Sequence, residues 1–244
     1  MKKKQTIFIT GSSKGIGLGL ALLFKKKNYQ VIINGSNLKR LKTSLKKNKL
    51  DAYFHGDITN SKVNKNIFKK IDGKIGKIDT LICNYGESNF KKNNLNFEYS
   101  FKKNFFSSIN TILNSKNSIK KGGTIICISS ICGKEIIDGA PIAYSCAKSA
   151  LNFFIKSYSR ELAKKHISLN SISPGNILFE GSVWDKKINK NRSKTLSYIK
   201  KNVPANSFGS VNDIFEACYM LSENKSKYLT GSDITIDGGQ TKSK

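Results

Sequence analysis

Tyr144 and Lys148 stand four positions apart in "AYSCAK", with only small residues and no proline between them. On a helix, residues i and i+4 lie one turn apart on one face, so this phenol and ammonium can act together on one small molecule. A free phenol titrates at about 10, too high for an efficient base near neutral pH, and a neighbouring ammonium is expected to lower that value. The pair is a candidate proton-transfer device, although Tyr-x-x-x-Lys also arises by chance in helices. A second candidate is "TGSSKGIG", which gathers Gly11, Gly15 and Gly17. Glycines at a turn into a helix let backbone N–H groups approach a pyrophosphate, and the helix N-terminus adds partial positive charge. The alternative is a tight turn that binds nothing, so the elements on either side of it decide.

Those elements alternate. "TIFIT", "QVIIN", "AYFH", "TLIC", "TIICISS", "SLNSIS" and "DITID" read as strands. Helical spacing of apolar residues marks "GIGLGLALLFKKK", "LKRLKTSLKK", "KVNKNIFKKI", "FEYSFKKNFFSSINTILNSKNSIKK" and "IAYSCAKSALNFFIKSYSRELAKKH". Short continuous apolar strands separated by helices imply a parallel sheet covered on both faces. The expectation is one doubly wound α/β domain over residues 1–244, with a seven-stranded parallel sheet flanked by helices. The glycine turn then follows a strand and opens a helix, the context that a phosphate site requires. Residues 176–209 break the rhythm and exceed an ordinary connection, so they are expected to form a substrate lid, with Phe179 and Trp184 seeking cover.

Bulk properties narrow the classes. The 38% hydrophobic content is that of a folded globular chain. The opening "MKKKQTIFITGSSKGIGLGLALLF" imitates a signal peptide, but Lys14 and the glycines interrupt its apolar part, so it reads as a first strand and helix. No stretch approaches the roughly 20 apolar residues of a membrane span, and a soluble, cytoplasmic protein is expected. Cys83, Cys127, Cys132, Cys146 and Cys218 follow no metal-ligand spacing, and with only His55 and His166 beside them no metal site is expected. A net charge of +27 favours acidic partners. Only Arg40, Arg160 and Arg192 among the 43 basic residues are arginine, and the lysines spread over nearly every helix. Solvated faces are therefore expected, with no specific nucleic acid and no membrane as partner.

Further pieces follow the glycine turn in order: "HGDIT" with Asp57, "CNYG" with Asn84 and Gly86, "ISS" ending at Ser130, the Tyr144 and Lys148 pair, "SPG" at 173–175, and "LTGSDITIDGG". With the T-G-x-x-x-G-x-G spacing they resemble the short-chain dehydrogenase/reductase family over almost the whole chain. The resemblance implies a Rossmann-type fold and a nicotinamide dinucleotide. Its turn would be Gly11, Ser13, Lys14, Gly15, Ile16 and Gly17. Asp57 would meet the adenine amino group, Asn84 and Gly86 the inner wall and Lys148 the nicotinamide ribose, with Ile58 and Tyr144 also binding the cofactor. Pro174 and Gly175 would lead past the nicotinamide, with the Ile177 backbone meeting its carboxamide. Asp57 could otherwise cap a helix. Two departures from the family pattern are Tyr85, where a small residue is usual, and Phe179, where threonine is common. NAD users need a carboxylate after the second strand, and Gly35 stands there. Lys14, Ser36, Asn37, Lys39 and Arg40 could receive a 2′-phosphate instead, so NADP(H) is expected over NAD(H).

The resemblance also gives the pair its chemistry: Tyr144 donates a proton to a carbonyl oxygen while the nicotinamide delivers hydride to the carbon, or the reverse. Ser130 would stabilise the charge developing on that oxygen, or merely cap its strand. Asn104 resembles the family's helix asparagine that steadies a relay water behind the lysine. The first expected substrate is a 3-oxoacyl group on an acidic acyl carrier protein, although "GESNFKKNNLNFEYS" lacks the threonine-arginine-aspartate run associated with those reductases. The alternative is a sugar or sugar-nucleotide contacted by Glu87, Ser88, Trp184 and Lys186 or Lys187. A third reading of another class is a noncatalytic nucleotide or nucleic-acid sensor, which need not keep Asn104, Ser130, Tyr144 and Lys148 together. Family members associate through long helices and C-terminal strands, which implies a homodimer or homotetramer.

Overall fold

Seven apolar segments pair into one parallel sheet in the computed structural model, which describes residues 4–87, 95–226 and 228–242. The strands are β1 (Thr6–Ile9), β2 (Gln30–Gly35), β3 (Ala52–His55), β4 (Ile78–Cys83), β5 (Ile119–Ile128), β6 (Ser168–Pro174) and β7 (Asp233–Ile236), in the order β3-β2-β1-β4-β5-β6-β7. The helices are α1 (Gly15–Lys26), α2 (Leu38–Lys47), α3 (Ser61–Lys74), α4 (Phe97–Phe101), α5 (Ser107–Ser115), α6 (Ile142–Ala163), α7 (Val183–Lys190), α8 (Arg192–Asn202) and α9 (Val211–Glu223). This is the doubly wound Rossmann-type fold that the alternating pattern implies.

Strand alternation divides the interior in two. On β1, Ile7 and Ile9 face a core shared with Leu20, Ala21 and Phe24 of α1 and Ile214, Phe215 and Cys218 of α9. Phe8 between them faces the opposite core, with Ile67, Phe68 and Ile71 of α3 and Leu151 and Ile155 of α6. Successive side chains of a strand point to opposite faces, so one apolar run serves both layers. The strand order reverses between β1 and β4, and crossovers on either side leave by different faces. A crevice opens there at the carboxyl ends of the strands, and Gly11, Gly35, Asn84, Ser130 and Pro174 all line it.

Several boundaries differ from the sequence reading. The long helical segment ends at Ser115, and 119–121 join β5, because Ile119 pairs with Ile78 of β4. That segment is also not one helix: a π turn, Lys102–Phe106, separates α4 from α5. Residues 176–209 hold α7 and α8, capped by Ser182 and Asn191. Helix α9, which the apolar spacing above does not single out, opens with a reciprocal Ser210 and Asp213 capping box. Cys83, Cys127 and Cys218 are buried thiols, whereas Cys146 is exposed and Cys132 partly so. No described helix is long and apolar enough to cross a membrane.

The wholly buried Phe24 ring joins α1 to α9, its centroid 5.0 Å from those of Tyr29 and Phe215. Phe24→Ala is expected to cost about 3–5 kcal/mol of stability, measured by urea unfolding.

Candidate active site

The crevice encloses about 650 Å³ and runs from the glycine turn past the end of β5 to α7. Gly11 and Gly15 take positive φ values of +60° and +58°, which other residues adopt rarely. Space forbids side chains as well: a Cβ on Gly11 would lie 2.9 Å from the Tyr85 Cα, and one on Gly17 2.5 Å from the Asn84 Nδ2. Asn84 fastens this turn to β4, its amide donating to the Thr10 and Gly11 carbonyls at 3.1 Å each. Backbone is thus presented bare at the start of α1, as a pyrophosphate site demands. Phe179 lies over this turn, 3.2 Å from where a Gly15 Cβ would be.

At the end of β2, Ser36, Asn37 and Arg40 line the crevice with Lys14 and Ser13, whereas Lys39 does not. The Asn37 side-chain oxygen is occupied, accepting the Arg40 N–H at 2.8 Å as the cap of α2. Gly35 leaves room for Ser13, whose Oγ lies 2.9 Å from a Cβ placed there. Asp57 is not a helix cap; Asn60 caps α3. Asp57 accepts instead from the N–H and hydroxyl of Thr59. Desolvation alone would raise its carboxyl pKa, but the Thr59 bonds and the charges of Lys103 and Lys102 hold it below the usual value. Ile58 and Ile16 complete this wall.

Ser130, Tyr144 and Lys148 meet at the end of β5. The Ser130 hydroxyl accepts the Cys132 N–H at 3.2 Å and is near enough to the Tyr144 phenol to favour its ionised form, so it caps its turn and also neighbours the tyrosine. Lys148 is buried, donates to the Ile128 carbonyl at 2.9 Å, and stands 5.8 Å from the centroid of the Tyr144 ring. The expected lowering of the phenol is overturned here. Burial, aided by the Cys132 thiol, pushes Tyr144 above its ordinary value, against the opposing Ser130 bond. Desolvation also depresses Lys148 to about 8, which still leaves it mostly protonated at neutral pH.

Asn104 is buried in the π turn. Its Oδ1 accepts the Glu87 N–H and its Nδ2 donates to the Glu87 carbonyl, both at 2.9 Å. A Cβ on Gly86 would lie 2.9 Å from that Oδ1 and 3.5 Å from the Lys148 Nζ, so the three residues are neighbours. The amide thus pins the chain beside the lysine. Beyond them, Pro174, Gly175 and Ile177 line the crevice. Ile177 bridges Gly209 through the Asn176 carbonyl and Leu178 N–H, a bridge that bypasses its own peptide groups. Trp184 and Glu87 are on the wall but Lys186 and Lys187 are not. Lys187 instead lies over the Trp184 ring, 4.3 Å from its centroid. Ser88 falls outside the described residues.

Residues 11–241 match the family described as enoyl-(acyl carrier protein) reductase. The chain is 33% identical to the 3-oxoacyl-(acyl-carrier-protein) reductase FabG of Rickettsia typhi, over 96% of each chain. It is 29% identical to the NADPH-dependent reductase BacG of Bacillus subtilis, over 98% of this chain and 99% of that one. A short-chain type dehydrogenase/reductase from Mycobacterium ulcerans superposes with a TM-score of 0.88 at 22% identity, covering 98% of this chain and 90% of the other. The chain belongs to the short-chain dehydrogenase/reductase family. It is accordingly an NAD(P)-dependent oxidoreductase acting on carbonyl or alcohol groups. The bare glycine turn and the polar crevice beside it fit such a dinucleotide. Several wall residues escape the sequence reading, among them Asn34, Gly56, Ile128, Ser129 and Lys103; the position of Lys103 beside Asn104 was its signal among many lysines.

The depressed Lys148 makes stability depend on pH. Between about 8 and 10.4 the unfolded chain keeps a proton that the native lysine has released, so this group's contribution rises with pH through that window. Wild type should gain on Lys148→Met by on the order of 1–3 kcal/mol between pH 8 and 10, read from urea unfolding at both values.

Proposed function

We propose that this protein is an NADP(H)-dependent carbonyl reductase whose substrate is a 3-oxoacyl group carried on an acyl carrier protein. The observation that carries the reading is the convergence of the Ser130 and Tyr144 hydroxyls beside the buried Lys148, in a crevice that begins at a bare glycine turn. Two hydroxyl donors meeting at one point suit a single carbonyl oxygen, which favours ketone reduction over attack on an isolated carbon–carbon double bond.

When bound, the nicotinamide supplies the hydride that the carbonyl carbon receives. Tyr144 gives its phenolic proton to the oxygen, and Ser130 donates a hydrogen bond to the charge that grows there. The phenol carries its proton near neutral pH and can give it to the substrate oxygen in the reductive direction. The Lys148 ammonium favours the phenolate left behind, and Asn104 holds the Gly86 and Glu87 chain against it while its amide oxygen keeps a lone pair for a relay water. Lys14, Ser36, Asn37 and Arg40 receive the 2′-phosphate, and the absence of a carboxylate at Gly35 disfavours NAD(H). The name of the Bacillus subtilis relative agrees with that preference.

The carrier-bound substrate rests on the name of the Rickettsia relatives and on the net charge of +27, which would draw an acidic carrier. Residues 176–209 act as the lid over the single domain. A sugar substrate is the second reading, favoured by Glu87 and Trp184 on the wall. Family membership leaves the sensor reading without a feature that requires it. Exposed Phe106, Leu113 and Phe153 on the π turn, α5 and α6 support association as a homodimer or homotetramer.

NADPH oxidation is expected with 3-oxoacyl thioesters, with a KM for NADPH well below that for NADH; the reverse order would sink the cofactor assignment. Tyr144→Phe should lower turnover about 10²–10⁴-fold while NADPH affinity, followed by fluorescence titration, stays within about twofold.

A further inference from the structure

The π turn between α4 and α5 brings two consecutive side chains, Lys103 and Asn104, to the crevice. Such turns are rare and concentrate at functional sites. Asn104 has a role above; Lys103 has none. Its Nζ donates to the Tyr85 hydroxyl at 2.8 Å and lies 5.4 and 5.8 Å from the Tyr85 and Tyr99 ring centroids. Both phenols in turn donate to the Glu87 carboxylate. Two aromatic faces and one phenol oxygen thus fix the ammonium, which has no ion-pair partner among the described residues. An ammonium carries three donors, and one is accounted for.

The position of this cation indicates what it faces. Tyr85, which holds it, backs directly on Gly11 of the glycine turn. On the other side the Lys103 charge acts on Asp57, helping to hold that carboxyl below its usual pKa. The ammonium therefore stands between the turn that suits a pyrophosphate and the residue that suits an adenine.

We propose that Lys103 is a further cofactor-binding residue, donating its spare N–H groups to oxygen acceptors of the adenosine-diphosphate half of the dinucleotide. The Tyr85 side chain, which departs from the usual small residue, serves as its mount. This inference rests on the reading of the crevice as a dinucleotide site.

Titration calorimetry of the full chain with NADPH and with ADP as probes tests it. Wild type should bind both, and Lys103→Met should weaken ADP about tenfold, with Lys103→Arg recovering to within about threefold. Unchanged ADP affinity in Lys103→Met, or equal losses in the two variants, overturns the proposal; a circular-dichroism melt of each variant identifies an unfolded one, and Tyr85→Phe, which frees the ammonium from its mount, then serves as the second variant with a smaller loss expected. Wild type that binds neither NADPH nor NADH would overturn the dinucleotide reading itself, and this inference with it.

Discussion

Asn84 ties the glycine turn to the end of β4, and the rest of the crevice depends on that tie. Its amide reaches the Thr10 and Gly11 carbonyls, while its own N–H and that of Tyr85 donate to the Thr10 hydroxyl. The turn must approach so closely that neither Gly11 nor Gly17 could carry a Cβ without displacing a neighbour. Bonded backbone at one strand end and bare backbone at the next give a rigid rim with open N–H groups, which is how a loop can bind phosphate without a dedicated charge.

Desolvation acts on both members of the helix pair. Tyr144 and Lys148 share a helix face, yet both are pushed toward neutrality by desolvation. The ammonium spends one donor on the Ile128 carbonyl and lies over the ring face. The phenol therefore has the Ser130 hydroxyl as a neighbour and a cation close behind it.

Aromatic packing organises the far end of the crevice. Trp184 of α7 stacks on Tyr198 of α8 with centroids 5.3 Å apart and tilts against Phe208. The cover that this indole requires thus comes from within 176–209, and one side of it still faces the crevice. Asn176 reaches Gln240 at 2.7 Å, joining the start of this segment to the C-terminal region. Aromatic surface and the Glu87 carboxylate together leave the mouth amphipathic.

The seven strands, their parallel pairing and the glycine turn were legible because each rests on local chemistry: continuous apolar runs, helical spacing and residues without a Cβ. The order of the Gly11, Asn84, Ser130, Tyr144 and Pro174 motifs likewise named the family. Helix α9 was missed, although Ser210 and Asp213 and the spacing of Ile214, Phe215, Cys218 and Leu221 carried a local signal for it. Other features depended on partners distant in sequence. Residues 119–121 joined a strand because Ile78 offered pairing, and Asn37 turned to its helix N-terminus. Lys103, one lysine in a chain with 43 basic residues, became a fixed cation only where Tyr85 and Tyr99 enclosed it. The sequence by itself determined the fold, the family and the candidate residues; tertiary structure alone decided how far each is desolvated and what it reaches, since desolvation depends on every atom that excludes water, whatever its place in the chain.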